Sequence, residues 1–228
     1  MTVTLHVWGV PWAGVPRALV RTAAHRAALR RVPGLRFARL LGTGAGRTFD
    51  LRDADPRHWA LVAAWHDPAA AARFEAGPLA GAWDDAAEER LVLRLRTLAA
   101  RGAWGGRRPF TPPAPGTAEP GGRVVAITRA RLRPSRARAF RRAVPGVVAE
   151  LHGSPGLRLA FGIGEAPIGY QGTVSVWDSA GAMRRFAHGG AAHRSAIRGT
   201  VRTGWYTEDL FARFALLAAS GTHHGRTA

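Results

Sequence analysis

Two histidines in the second half of the chain have the residue type and the position to bind a metal or a cofactor. His188 and His193 lie in the run RFAHGGAAHRSAI, and Arg194 and Arg198 follow His193 about one helical turn apart. Neutral imidazole is a good ligand for haem iron, and the chain has no Cys that could supply a thiolate instead. We therefore hypothesise that His193 is a metal ligand, most simply of haem iron. The alternative is a solvent-facing histidine, or a core histidine bonded to a backbone carbonyl.

Other chemically suggestive motifs carry weaker signals. Gly42–Gly46 is glycine-rich but lacks the third glycine, opening a helix, that a dinucleotide-binding loop needs, so we interpret it as a flexible strand exit. His223 and His224 are interpreted as solvent-exposed residues of a polar tail. Four acidic residues at helical spacing are expected on a solvated face: Asp84, Asp85, Glu88 and Glu89.

The elements that must position these residues occur twice. Each half has the pattern strand, helix, two strands, helix, strand, which is typical of a ferredoxin-like βαββαβ unit. Trp177 and Phe186 follow Trp65 and Phe74 by 112 residues. In this register His193 aligns with Gly81, and His188 with Ala76. The second half therefore carries imidazoles where the first half carries small residues.

Earlier in each half the spacing differs. The Pro155-Gly156 turn follows the Pro33-Gly34 turn by 122 residues, so the first half has about ten extra residues, assigned to 46–58. We predict an N-terminal ferredoxin-like half at 1–104, an exposed Pro/Gly-rich linker at 105–122, a C-terminal half with the haem ligand at 123–220, and a tail at 221–228. Each sheet would have one bare face, so we expect an α+β fold whose two sheets close into a barrel with an apolar interior able to hold a ligand.

Composition narrows the class of protein. The 228 residues include 33 basic side chains, all Arg, and 15 acidic ones, giving a net charge of +18 that favours anionic partners. The 46% hydrophobic content suits a globular core. The lack of Cys excludes disulfides, zinc–thiolate sites, iron–sulfur clusters and cysteine nucleophiles. Without a signal peptide or an apolar run of about 20 residues, we expect a cytoplasmic location, with at most peripheral contact with acidic membrane surfaces.

From about Val3 to Gly221 the sequence resembles the spheroidene monooxygenase family. The second half carries the more extensive similarity, through Gly162-Ile163-Gly164-Glu165, Gln171, Trp177, His193, Ala196-Ile197-Arg198, Gly204-Trp205, Glu208 and Arg213-Phe214. The first half contributes the Pro33-Gly34 turn, Gly42–Gly46, Ala60–Trp65 and Arg101-Gly102-Ala103-Trp104.

The resemblance implies a dimeric α/β-barrel-type fold and haem b-dependent oxygenation, in that family of an acyclic carotenoid methylene to a ketone. His193 matches the family's histidine and is expected to bind the iron; His188 has no match and is a secondary candidate. After the glycine-rich exit the family has a Gly-Phe-Thr-like segment, whereas this chain has Arg47-Thr48-Phe49-Asp50. The charged segment leaves open a smaller and more polar substrate.

Roles for the remaining candidates follow from this hypothesis. We expect Arg194 and Arg198 to bind haem propionates, although surface charge explains them equally well. Arg47 would stabilise negative charge during O–O or N–O cleavage. Gln171 would hydrogen-bond oxygen or substrate, or cap a strand edge, and Trp205 would line the pocket.

Two rival functions stay open at this point. One is a haem-dependent dehydratase or N–O/N–N transforming enzyme of the same fold, because a fold does not fix a reaction. The other is a basic nucleic-acid-binding module, which the lack of an RNP-like aromatic motif makes less favoured. We expect a small-molecule substrate, no specific nucleic acid partner and a possible homodimer.

Overall fold

The structure is a computed structural model that describes residues 1–47, 51–114, 121–165, 170–190 and 204–228. Its elements, in chain order, are β1 (Thr2–Gly9), α1 (Val15–Leu29), β2 (Leu35–Gly44), β3 (Ala54–Trp65), α2 (Pro68–Glu75), α3 (Pro78–Asp84), β4 (Glu89–Gly102), β5 (Val124–Leu132), α4 (Ala137–His152), β6 (Leu157–Gly164), β7 (Tyr170–Trp177), α5 (Ala180–Gly189) and β8 (Tyr206–Gly221).

The eight strands form one closed antiparallel barrel in the order β1-β3-β2-β6-β7-β5-β8-β4. Each half supplies four adjacent strands, with the order β4-β1-β3-β2 in the first and β8-β5-β7-β6 in the second. This is the ferredoxin-like arrangement, so the expected α+β fold of two βαββαβ repeats is confirmed. The halves join along a long seam between β4 and β8 and a short one between β2 and β6.

Strand register confirms the internal repeat. Leu35 pairs with Trp65 in the first half, and Leu157 pairs with Trp177 in the second. The offset is therefore 122 residues at β2 and β6 and 112 residues at β3 and β7. Val3 pairs with Leu95 and Val125 with Phe214, so the offset at β4 and β8 is 119.

Local contacts repeat in the same way. Gly34 and Gly156 have φ angles of +77° and +86°, and a Cβ on them would lie 2.6 and 2.8 Å from the Cβ atoms of Ala70 and Ala182. Glycine is thus required in both turns, since the backbone is left-handed and a helix lies against it. The following helices begin alike, because Asp67 and Ser179 accept hydrogen bonds from the backbone N–H three residues later.

Apolar side chains from both halves fill the described part of the barrel interior. Strands of the first half contribute Val3, Leu5 and Leu93, for example, and those of the second half contribute Ile127 and Phe214. Phe110 also enters this core and packs edge-on against Phe214, with ring centroids 5.0 Å apart. The expectation that this interior holds a ligand finds no support among the described residues.

Several sequence predictions are corrected by the structure. The predicted exposed linker at 105–122 begins with residues that fold back on the barrel, and Phe110 is buried. Gly42–Gly46 is a seam rather than a flexible exit: Gly42 and Gly44 pair with β6, and a Cβ on Gly46 would lie 3.0 Å from the Gly162 nitrogen. The extra segment at 46–58 is partly strand, since β3 begins at Ala54.

Candidate functional site

The layer between sheet and helices is tightly filled in the first half. Trp8 of β1 lies between His6 and Trp83, with ring centroids 5.3 and 5.4 Å away, and its indole N–H donates to Asp84 over 2.6 Å. The surrounding side chains complete one buried cluster that also includes Leu40, Trp59, Leu61, Trp65 and Phe74. His6 is buried in this layer, and burial lowers its pKa to about 3. Large buried side chains thus occupy the centre of the helix–sheet layer in the first half.

The equivalent positions of the second half carry small residues. With the measured offsets, His6 corresponds to Thr128, Trp8 to Ala130 and Leu61 to Thr173. Leu40 corresponds to Gly162. We call Thr128, Ala130 and Thr173 the second-half floor. Thr128 is exposed, and the other two are partly exposed, although all three lie on central strands.

Among the described residues, apolar packing closes one end of the second layer. Trp177 stacks on Phe186 with centroids 5.4 Å apart, and the buried cluster around it contains Val124, Ala126 and Met183. The floor residues are not members of that cluster. Within the described part of the chain, these small uncharged side chains lie on the sheet at the end where β5 finishes and β7 and β8 begin.

Trp205 stands beside this open end. Its ring is 6% exposed and packs edge-on against Phe140 of α4, with centroids 5.9 Å apart. Its carbonyl accepts a hydrogen bond from the Arg133 N–H, which fixes the backbone. The buried indole N–H has no acceptor within the described part of the chain. A buried unpaired donor is costly, so this group is suited to a ligand atom.

The structure describes some of the other candidate residues from the sequence analysis and not the rest. His193, Arg194 and Arg198 lie outside the described residues. Gln171 is placed by its backbone in β7, paired with Ala130 of the floor. His188 lies in the last turn of α5 with an exposed side chain.

Arg47 is exposed and follows the seam between β2 and β6. Its backbone N–H donates to Asp53 over 2.7 Å, which anchors the start of the extra segment in the first half. The described contacts of Arg47 are therefore structural, and its expected role in bond cleavage stays a prediction.

One end of the barrel holds a buried charge network that sequence reasoning missed. Arg129, 4% exposed, pairs with Glu208 and lies 3.4 Å from Glu165, which also pairs with Arg39 over 2.9 Å. The Trp104 indole N–H donates to the same Glu165 carboxylate. The network therefore links β2, β5, the end of β6, the start of β8 and the turn after β4 at this end of the barrel.

Burial would raise the pKa of Glu208. The backbone N–H groups of Gly106 and Gly105 and the Arg129 guanidinium outweigh that effect and lower the pKa. Glu208 is therefore held as a carboxylate and binds the turn that follows β4.

The floor residues were also absent from the sequence candidates. The signal in the sequence is the 122-residue offset of the two Pro-Gly turns, which strand pairing extends to β1 and β5, where it aligns Trp8 with Ala130. Small apolar or hydroxyl residues do not by themselves suggest a functional site. They indicate one here only because the equivalent positions of the first half carry large side chains.

Comparison with known proteins identifies the family. A protein named spheroidene monooxygenase from Rhodobacter capsulatus is 37% identical over 215 residues, covering 94% of this chain and 89% of the relative. The chain belongs to the spheroidene monooxygenase family. Its relative of the same name from Rubrivivax gelatinosus is 36% identical over 195 residues, covering 85% and 73% of the two chains. No protein-family model matches the chain.

Solved structures support the fold. The crystal structure of an aldoxime dehydratase aligns over 99% of this chain and 82% of its own, with a TM-score of 0.60 at 12% identity. A second aldoxime dehydratase, crystallised with butyraldoxime, gives a TM-score of 0.61 at 10% identity over 99% of this chain and 80% of its own. At such identities the likeness shows the shared architecture only.

Family membership supports an oxygenase-type enzyme acting on a small molecule. Among the described residues, no helix is both long enough and apolar enough to cross a bilayer. The cytoplasmic location stays a prediction.

Proposed function

We propose that this chain is a haem b-dependent monooxygenase that oxidises an apolar organic molecule above the second-half floor. The observation that carries the proposal is the contrast between the two helix–sheet layers. Bulky side chains fill the first layer, whereas the described residues of the second carry only Thr128, Ala130 and Thr173 at the equivalent centre. Two halves with the same backbone plan thus differ where a flat ligand would need space.

The described residues fit a haem group in composition. The floor offers small side chains without charge, against which a planar apolar ring can pack. The buried Trp205 N–H lacks a protein acceptor among the described residues and can donate to a ligand atom. At the floor edge, the Arg101 guanidinium lies over the Phe211 ring, 5.7 Å from its centroid, where a propionate or another anionic group could pair with it.

The repeat also explains why His193 is the proposed iron ligand. Its counterpart Gly81 lies in α3, the helix whose Trp83 stacks on Trp8. Trp8 corresponds to Ala130. Compared with the first half, the second half therefore has Ala130 instead of an indole ring on the sheet. It has His193 instead of glycine in the segment that aligns with α3. His188 is the secondary candidate, and Arg194 and Arg198 are the proposed propionate partners.

Haem held by one imidazole would supply activation of O2 or peroxide. The chain's residues would orient the substrate over the floor, exclude water through Trp205 and Phe140, and place Gln171 next to Ala130 as a hydrogen-bonding group. In the oxygenase reaction one atom of O2 enters the substrate and the other leaves as water. That balance requires two electrons and two protons from an external reductant.

The substrate class follows from the relatives' name. Spheroidene is a carotenoid, and we propose an acyclic polyene or a smaller metabolite with an activated C–H bond. Arg47 is exposed and follows the seam glycine Gly46. Because its charge would suit a polar substrate, a smaller and more polar metabolite should be tested together with the carotenoid.

The fold likeness to aldoxime dehydratases favours one second candidate, dehydration of an aldoxime, which consumes no O2. Turnover of an acyclic carotenoid and of butyraldoxime is compared under ¹⁸O₂ with a reductant and under anaerobic reducing conditions. Incorporation of ¹⁸O into the carotenoid supports the oxygenase. Loss of water from butyraldoxime without O2, with no label in the carotenoid, would overturn it.

We further propose that α1 makes the expected peripheral contact with acidic membranes. Trp12, Leu19 and Val20 are 68%, 55% and 71% exposed and lie in the first turns of the helix and in the turn that precedes it. Arg17 lies beside them and is exposed. Apolar side chains next to guanidinium groups suit an anionic lipid surface, in keeping with the net charge of +18. Homodimerisation stays a prediction.

A further inference from the structure

Three imidazoles meet at the barrel end opposite the Arg129 network. His58 comes from β3, and His223 and His224 come from the turn that follows β8. The ring centroids of His58 lie 4.9 Å from those of His223 and 4.4 Å from those of His224. One nitrogen of each ring lies within 4.8 Å of a nitrogen of the others. His223 is buried, contrary to the sequence interpretation, whereas His224 is exposed as expected.

Two carboxylates complete the cluster. Asp55 Oδ2 lies 2.6 Å from His58 Nδ1 and 3.1 Å from His224 Nε2, and Glu89 Oε2 lies 3.0 Å from His58 Nε2. Glu89 also accepts hydrogen bonds from Thr222 and from two backbone N–H groups of the turn. Glu89 is therefore anchored to the turn, and Asp55 can orient the His58 ring as metal-binding histidines require.

The fold contains the same turn without imidazoles. Trp104 and Arg107 form a bridge after β4, just as His223 and Arg226 do after β8, at an offset of 119 residues. Glu208 accepts from the N–H groups of Gly105 and Gly106 as Glu89 does from those of His224 and Gly225. Neither the turn nor its carboxylate clamp therefore needs histidine.

The histidines instead impose a conformational cost. His224 has a φ angle of +51°, and its counterpart Gly105 has +62°. A side chain rarely adopts this left-handed conformation, and strain of this kind concentrates at functional sites. His58 also needs Gly9, because a Cβ there would lie 2.6 Å from His58 Nε2.

One buried ring nitrogen without a partner points to a ligand. His223 Nδ1 is buried without a hydrogen-bond partner among the described residues, and the residue is 3% exposed.

We propose that His58, His223 and His224 bind a divalent transition metal of the Zn²⁺ class, with Glu89 available as a fourth ligand and Asp55 holding the His58 ring. Imidazole and carboxylate donors suit Zn²⁺, Co²⁺, Ni²⁺ or Cu²⁺. A Zn–N distance of about 2.1 Å requires the donor atoms to approach to about 3.4 Å, a movement that rotation of the exposed His224 ring can begin. The site is separate from the second-half floor and does not rest on the proposed function.

The metal would join distant parts of the chain. It would tie the turn after β8 to β3 and β4, at the barrel end where the last residues enter the core. Ala228 is buried there in the described interior, and its carbonyl accepts from Arg123 over 2.5 Å. Its expected effect is structural, closing the end of the barrel opposite the Arg129 network.

The test uses the full chain after treatment with a chelator. Zn²⁺ is titrated against a chromogenic competitor, and Co²⁺ absorption reports the coordination. The matched variant carries His223→Trp and His224→Gly, which are the residues of the counterpart turn and should preserve its backbone. His66→Ala, which alters an exposed histidine outside the cluster, is the control.

We expect one Zn²⁺ per chain, tetrahedral-type Co²⁺ bands, and a Tm that rises by several degrees with Zn²⁺. The double variant should bind at least 100-fold more weakly and show no Zn²⁺-dependent rise in Tm, whereas His66→Ala should behave like the unaltered chain. Substoichiometric binding, or equal affinity in the unaltered chain and the double variant, would overturn the proposal. The Co²⁺ spectrum of the unaltered chain decides the matter if the variant does not fold. Haem content is measured separately, so either proposal can fail alone.

Discussion

Replacement of Ala130 by Trp tests the open layer most selectively. The substitution introduces the residue that the first half has at the equivalent position, Trp8, where the indole is buried between two rings. Among the described residues of the second half no such rings cover the site, and Thr128 beside Ala130 is exposed. We expect Ala130→Trp to fill the proposed haem space while leaving the barrel folded.

The expected energies distinguish an open layer from a packed one. Adding bulk to a well-packed core costs about 1–3 kcal/mol. A Trp that buries one face on an open floor removes on the order of 100 Å² of apolar surface from water, worth about 2–3 kcal/mol before side-chain entropy is subtracted. The haem-free Ala130→Trp protein should therefore be as stable as the unaltered chain or more stable by about 1 kcal/mol. Haem content should fall at least tenfold.

The assay combines urea unfolding of the haem-free protein with the Soret absorbance per chain after growth with a haem supply. Ala126→Trp is the matched control, because Ala126 is buried in the cluster around Trp177 and Met183. That control should lose about 1–3 kcal/mol. The reasoning is refuted if Ala130→Trp is destabilised as much as Ala126→Trp and still binds haem normally.

Three further predictions concern stability and surface binding. The pKa of His6 is lowered from 6.5 to about 3 by burial and by Arg90 and Arg94, so the unfolded chain binds more protons below pH 6.5. His6 should then lower the unfolding free energy by up to about 1.4 kcal/mol per pH unit between pH 6 and 4, and urea unfolding of His6→Phe should show a slope smaller by that amount. Arg129→Met leaves two carboxylates without their shared guanidinium and should cost about 3 kcal/mol in the same assay, against a much smaller loss for the exposed Arg131→Met. Sedimentation with anionic vesicles should decrease at least fivefold when Trp12, Leu19 and Val20 are changed to Ser; unchanged sedimentation, or a shift from dimer to monomer without vesicles, would contradict the proposed membrane contact.

Much of the fold could be predicted from the sequence because the repeat is strong. The predicted order of strand, helix, two strands, helix and strand is present in both halves, and the turns at Gly34 and Gly156 show how the halves correspond. The short helix α3 was missed, since Pro78–Asp84 follows α2 after a two-residue break. The burial of Phe110 could not be predicted either, because only the closed barrel offers that residue an apolar interior.

The candidate site was only partly accessible to sequence reasoning. Comparison of the halves identified His193, yet that residue lies outside the described part of the chain. The floor at Ala130 becomes visible only once strand pairing gives the offset that aligns it with Trp8. His223 was interpreted as exposed because its sequence neighbourhood is polar, and the turn that buries it against Phe161, with ring centroids 4.6 Å apart, depends on contacts with distant strands. Asp84 and Glu89, expected on a solvated face, likewise bind Trp8 and the turn after β8.

The most direct measurement is the absorption spectrum of the full chain produced with a haem supply, compared with His193→Ala and with His188→Ala. If His193 binds the haem iron, we expect a Soret band in the unaltered chain, a band that is shifted or lost in His193→Ala, and an unchanged band in His188→Ala. A chain that takes up no haem, or a His193→Ala spectrum identical to that of the unaltered chain, would contradict it.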